Sequence, residues 1–250
     1  MRRSVFFILM LVATLQAAAQ SANNTEKKFE TPAFLSIQEL PNHMKYIADP
    51  PTVDSEAFQN DAYYYKWGKE QRSTPRGVQA AVDEVQWTAK AFARAAGFII
   101  DPKECPEMFK LVEGVQKDAK ATNGRAKAYY RRTRPYVQFD EPSLVPETDA
   151  AYADSYSYPS GHSVRGWVCA LTLALLVPDS TEALISRAQD FALNRLICGR
   201  HYKSDVDASL VEATAIMSRL LSNEAFMAQL SRAREEFALK QEQLRIPTTD

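Results

Sequence analysis

An all-α, single-domain helical bundle around one central buried helix is the fold class this sequence predicts, and three observations predict it. Glycine is scarce, 8 in 250 residues, and helix-forming residues are common. From Val53 onward apolar residues recur at helical spacing in one segment after another, with no convincing strand pattern. One stretch, "WVCALTLALLV" from Trp167 to Val177, is apolar nearly all round, as a helix enclosed by others must be. At 46% hydrophobic residues the chain can bury a sizeable core. Its formal net charge of -1 argues against a nucleic-acid binder, which carries a basic surplus.

The elements follow in chain order. Residues 1–20, "MRRSVFFILMLVATLQAAAQ", combine a basic start, an apolar run from Val5 to Leu15 and the small residues Ala17, Ala18 and Ala19. That is the pattern of a cleavable signal peptide, too short for a comfortable membrane span, and it predicts a periplasmic or secreted protein. Arg2-Arg3 also admits a twin-arginine export signal, but the rest of that signal is missing. No cysteine lies near the cleavage point, which argues against a lipid anchor. Residues 21–52, punctuated by Pro32, Pro41, Pro50 and Pro51, predict an extended arm packed on the domain of residues 53–245.

Within that domain Phe58, Ala62 and Tyr65 mark one helical stripe. "STPRGVQAAVDEVQWTAKAFARAAG" has Ser and Thr ahead of Pro75, places Val78, Val82, Val85 and Phe92 on one face, and ends at Gly97. A third helix is expected from Pro106 to about Lys120 and a short fourth from Arg125 to Thr133. Residues 135–159 hold several prolines, acids and tyrosines without an apolar period, so they predict a long functional loop. The central helix follows from Gly161, and further helices near 180–198, 204–221 and 223–241. In the last, Phe226, Leu230, Ala233 and Phe237 share a face. Cys105, Cys169 and Cys198 are an odd count with no CxxC pair, and the latter two sit in apolar helical context, as small buried hydrophobes do.

Three short constellations carry candidate chemistry. In "KAYYRRTRP", Lys127 and Arg134 are seven apart, two helical turns, which on one helix sets them about 10 Å apart on a shared face. Two such cations can grip a polyanion, although a solvated basic face is the more ordinary reading. In "PSGH", Pro159 to His162, Ser160 is a good N-cap, and the backbone N–H groups behind it make an anion site. An ordinary capped helix with a surface histidine is the bland alternative. In "NRLICGRHYKSD", Arg195 falls on the apolar face of Leu184, Ala188 and Phe191, and a buried arginine wants an anion. His201 and Asp205 are four apart, so the carboxylate can hold one imidazole nitrogen and leave the other as base or nucleophile. A serine-hydrolase elbow does not fit "GHSVRG", whose second glycine is one residue too far. Asp205 to Ser209 mimics an aspartate-phosphatase DxD but lacks the apolar strand before it, and the Gly and Arg that follow Arg-His in histidine acid phosphatases are absent after His201.

Lys-x6-Arg-Pro, Pro-Ser-Gly-His and Arg-x5-His-x3-Asp, in this order across roughly residues 50–220, resemble the type-2 phosphatidic acid phosphatase and vanadium haloperoxidase superfamily. The size and "ICGRHYKSDVDA" are most similar to its class A bacterial nonspecific acid phosphatases. The resemblance implies hydrolysis of small phosphomonoesters over a broad range, without a cofactor, by a homodimer, and the lack of any His/Asp/Glu cluster outside the three motifs predicts that the activity is metal-independent. It implies that Lys127, Arg134, Arg195, the Ser160 hydroxyl and the Gly161 amide hold phosphate oxygens. It further implies that His201 attacks phosphorus, Asp205 orients it, and His162 protonates the leaving alcohol. Asn194 departs from the serine usual before the third-motif arginine. A vanadium haloperoxidase and a non-catalytic phosphate-binding protein are the competing readings. The first is generally larger, and the second has no need of the His201–Asp205 pair. No segment after residue 20 has the ~20 apolar residues of a membrane helix.

Overall fold

The computed structural model describes residues 29–86, 88–152 and 155–246. The signal peptide expected at residues 1–20 lies outside them. Seven long helices dominate: α1 (Glu56–Gln71), α2 (Pro75–Val85), α3 (Pro106–Tyr130), α4 (Gly161–Leu176), α5 (Thr181–Ile197), α6 (Lys203–Leu220) and α7 (Glu224–Leu244). Among the described residues the only β pairing is an isolated bridge between Phe98 and Arg245. The fold is all-α.

The apolar run works as its composition requires. α4 packs against α3, α5 and α6, and α7 covers α3. Val164, Val168, Cys169, Ala170 and Leu173 of α4 are buried, against Phe191 of α5, Leu111 and Val115 of α3, and Ile216 of α6. Side-chain caps fix where helices begin: Ser55 accepts from Phe58 N–H, Asn223 from Phe226 N–H, and Pro75 and Pro106 occupy first turns. No helix among the described residues is long and apolar enough to cross a membrane. All three cysteines are buried and unpaired. Residues 29–52 lie along the bundle, with Leu35, Leu40 and Ile47 buried. The Asp118 carboxylate of α3 accepts from the successive N–H groups of Ala33, Phe34 and Leu35 at 2.8–3.3 Å.

Five expectations are corrected. The helix opened by Pro75 stops at Val85 rather than Gly97, with Gln86 extended and only short turns at Thr88–Ala91 and Ala93–Ala96 beyond it. Its valine stripe faces outward: Val78, Val82 and Val85 are 68%, 43% and 71% exposed, while Asp83 and Glu84 are buried. Ion pairing explains the inversion, because Asp83 meets Arg187 at 2.6 Å and Glu84 meets Arg195. The third and fourth helices are one, Pro106–Tyr130, since Ala121, Thr122 and Asn123 are buried and tertiary contacts override the weak propensity of the Asn-Gly step. Arg134 is not on that helix, which ends at Arg131 in left-handed conformation. Finally, the 135–159 segment contains short helices at Pro135–Gln138 and Asp149–Tyr152. Polar bonds hold it where apolar ones are missing: Ser143 Oγ donates to Asp149 at 2.5 Å and Tyr136 Oη donates to the Asp149 carbonyl at 3.1 Å.

Candidate active site

Lys127, Arg134, Gly161, His162, Arg195 and His201, far apart in sequence, line one cavity of about 340 Å³, together with Asn123, Tyr152, Arg165 and Arg200. Lys127 comes from the last turn of α3 and donates to the carbonyls of Tyr156 and Ser157 at 2.6 and 3.1 Å. Arg134 begins the short helix after α3 and reaches Ser155 and the Arg200 carbonyl. Two helical turns on one face therefore do not explain how Lys127 and Arg134 meet. The chain reverses at Arg131 and brings them together from two directions.

The α4 N-terminus supplies Gly161 and His162. Ser160 caps it, accepting from Ser163 N–H at 3.4 Å, while its own N–H donates to the Asp205 carbonyl at 3.1 Å. Ser160 is fully buried and is not among the residues that line the cavity, and its hydroxyl accepts from Ser163 Oγ at 2.9 Å. Gly161 has no room for a side chain, since a Cβ there would stand 2.8 Å from Asn123 Oδ1. Behind it, Asn123 Nδ2 donates to Glu212 at 2.8 Å and to the Pro159 carbonyl at 3.2 Å, tying α3, α6 and the Pro-Ser-Gly turn together.

The third motif spans the end of α5 and the start of α6. Gly199, at φ +71°, turns the chain between them. His201 Nδ1 lies 3.2 Å from Asp205 Oδ2, and Arg134 Nη1 lies 3.2 Å from His201 Nε2. A guanidinium can only donate, so Nε2 accepts, and the ring proton sits on Nδ1 facing Asp205. Burial, then the Arg134, Lys127 and Arg195 charges, hold His201 well below the ordinary histidine pKa, so the ring is neutral. His162 is lowered the same way, by burial and then by Arg195 and Arg165. Burial and Arg195 bring Arg134 down to about 10, and burial followed by Arg134 lowers Lys127. The cations crowd one another. Burial alone would raise Glu84, but Arg195, Arg200 and Arg134 hold it below its usual value.

Several residues of this machinery escape the sequence motifs. Arg132 joins Asp205 at 2.5 Å and Asp61 of α1 at 2.6 Å, and its guanidinium sits 4.0 Å over the Tyr202 ring. Asp61 also accepts from Ser204 N–H and Oγ. Arg200 pairs with Asp149 at 2.6 Å. Asn194 lies outside the cavity's innermost wall and donates to Asp83 at 2.8 Å. Arg132 was visible only as an extra base inside "RRTRP". Nothing in the local sequence marks Asp61 or Glu84.

The chain is similar to proteins of one family. Residues 118–224, which hold all three motifs, match the PAP2 superfamily. A non-specific acid phosphatase of Providencia stuartii is 34% identical over 209 residues, 82% of this chain and 84% of that protein. One of Salmonella typhi is 34% identical over 239 residues, 94% of this chain and 92% of its own. An acid phosphatase of Zymomonas mobilis is 29% identical over 237 residues. Identity of this extent over nearly whole chains, with an all-α fold that gathers the three motifs around one cavity, means that the chain belongs to the PAP2 superfamily, among its class A bacterial nonspecific acid phosphatases.

Proposed function

We propose that the chain is an exported, metal-independent acid phosphatase that hydrolyses small phosphomonoesters through a phosphohistidine on His201. One observation carries this reading: the neutral His201 ring lines the cation-lined cavity, with its Nδ1 proton facing Asp205 and its Nε2 lone pair accepting from Arg134, a cation that a phosphoryl group draws to itself and so releases the lone pair for attack. A site that only bound phosphate would have no use for a buried, oriented imidazole lone pair.

The steps follow from what each group can do. Lys127, Arg134 and Arg195, with the Gly161 amide and the Ser160 hydroxyl, take the phosphoryl oxygens. Arg195 keeps Glu84 on one side and has an Nε that is buried and unpartnered among the described residues. Phosphoryl transfer asks mainly for positioning and positive charge around three equatorial oxygens, and these groups supply both. Nε2 of His201 bonds to phosphorus as the ester P–O bond breaks, and the charge gained by the ring is balanced by Asp205. His162 gives its proton to the departing alcohol. The phosphate dianion opposes the cations that keep His162 deprotonated in the empty site, so substrate itself raises the acid's pKa. In the second half His162 takes a proton from water, the hydroxide attacks phosphorus, and phosphate leaves with His201 restored. The apolar run of residues 5–15 supports export, and the relatives' printed activity supports the phosphatase step.

The test is rapid quenching with a labelled aryl phosphate in EDTA. The expected result is an acid-labile, alkali-stable phosphoenzyme on His201, formed at the same rate with and without chelator. A His201→Ala variant that still turns over, or activity that disappears with EDTA and returns with a divalent ion, overturns the mechanism.

A further inference from the structure

The phosphate cavity does not end at His162. His162, Tyr152 and Arg165 line both it and a second cavity of about 550 Å³. His162 and Arg165 are three apart on α4, so they share a face. Across from them α3 contributes Gln116, Lys117 and Lys120, one turn apart. Two donors in this second cavity lack acceptors among the described residues: Arg165 Nε and Gln116 Nε2 are both buried and unpartnered. A native fold rarely leaves buried donors unpaired without a reason, and a ligand that arrives with acceptors is one such reason. The acids bordering the cavity are Glu30, Glu84 and Glu113; Glu84 pairs with Arg195 through Oε2, while its buried Oε1 lies 3.4 Å from Arg200 Nε without a hydrogen bond. Arg165, Lys117 and Lys120 share the lining with Glu30, Glu84 and Glu113. Burial, followed by the Arg195 charge, holds Arg165 below the ordinary arginine value, with Tyr152, Glu84 and Glu113 opposing.

We propose that this second cavity is a leaving-group subsite for an oxyanion, so that the preferred substrate is a small phosphomonoester whose alcohol carries a second phosphate or a carboxylate. The inference rests on the phosphatase reading of the first cavity. The order of groups follows from the shared wall: transferring phosphoryl among Lys127, Arg134 and Arg195, ester oxygen at His162, second anion at Arg165 and Gln116. His162 and Arg165 are about 4.5 Å apart along the α4 axis, a step that two or three carbons span.

The test compares three matched substrates: 3-hydroxypropyl phosphate, propane-1,3-diol bisphosphate and 3-carboxypropyl phosphate. Wild type is expected to show kcat/KM at least about tenfold higher on one or both anionic substrates than on the neutral one, mainly through KM, the scale of one charge-assisted hydrogen bond. Arg165→Met should bring that ratio to near unity, and Gln116→Leu should lower it. Ratios are compared because any effect of Arg165 on His162 acts on all three substrates alike. If Arg165→Met fails to fold, Arg165→Gln takes its place. Gain with the bisphosphate alone or the carboxylate alone identifies which oxyanion fits. Turnover with no anionic gain in wild type, or a gain that survives both substitutions, overturns the subsite and leaves the phosphatase reading intact. No turnover of any of the three removes both.

Discussion

His201 is buried and His162 half-buried near the same cations, and the bonds around them give them different work. His201 is held at both nitrogens, by Arg134 and Asp205, so its ring is fixed and its lone pair becomes free only when Arg134 turns to an arriving anion. His162 sits between two cavities at a helix start, where a leaving group departs. The difference is measurable. His201→Ala should abolish turnover of every substrate. His162→Ala should lose roughly 10²–10⁴-fold on alkyl phosphates, whose alkoxides need a proton in the transition state, and far less on nitrophenyl phosphate. A plot of log kcat/KM against leaving-group pKa should therefore be steeper in His162→Ala; parallel lines would place His162 in phosphate binding instead. Arg132, two bonds behind the ring, has no contact with substrate in this scheme. Its removal leaves Asp205 and Asp61 buried without their shared partner, so Arg132→Ala should destabilise the fold by about 3–5 kcal/mol in denaturant titration. It should also lower kcat more than it raises KM, because what is lost is the aim of His201.

At the level of the element, α2 shows how charge pairing can turn a helix over. Its valines promise a core face, but burying Asp83 and Glu84 against Arg187, Arg195, Arg200 and Asn194 settles which side goes in. Accordingly Val82→Lys should change stability by no more than about 0.5 kcal/mol, as at an ordinary surface position. Asp83→Ala, which strands Arg187 and Asn194, should cost about 3–5 kcal/mol. Equal effects in chemical unfolding would refute the inverted face. The same comparison marks what was legible beforehand. The central helix was readable because an all-round apolar run has one comfortable place. Lys127, Arg134, Arg195, His162, His201 and Asp205 were readable as motifs because their residue types and spacings are specific together. The way Lys127 meets Arg134 was not, since it depends on a chain reversal at Arg131. Glu84, Asp61 and Glu212 were not, because a carboxylate's buried partner lies elsewhere in the chain and leaves no local period.

Across the whole molecule the buried titratable groups pull stability in opposite directions with pH. His162 and His201 have folded pKa values below the ordinary 6.5, so the unfolded chain takes up protons first on acidification. Their contribution is present above about pH 6.5 and is lost as pH falls. Glu212 is pushed up to about 7 by burial, against 4.5 when unperturbed. Its contribution is full below about pH 4.5 and is lost as pH rises through 7, at most about 3 kcal/mol. Glu212→Gln should therefore gain on wild type as pH climbs from 5 to 7.5 in a Tm series; a gap that stays constant or narrows would mean Glu212 is ionised throughout. The Asp118 clamp on Ala33, Phe34 and Leu35 has a further consequence, for protein processing. Trimming that stops upstream of Ala33 leaves all three amides in place. A cut beyond Leu35 strands a buried carboxylate inside α3, so the clamp sets how far proteases can shorten this chain before they begin to unfold it.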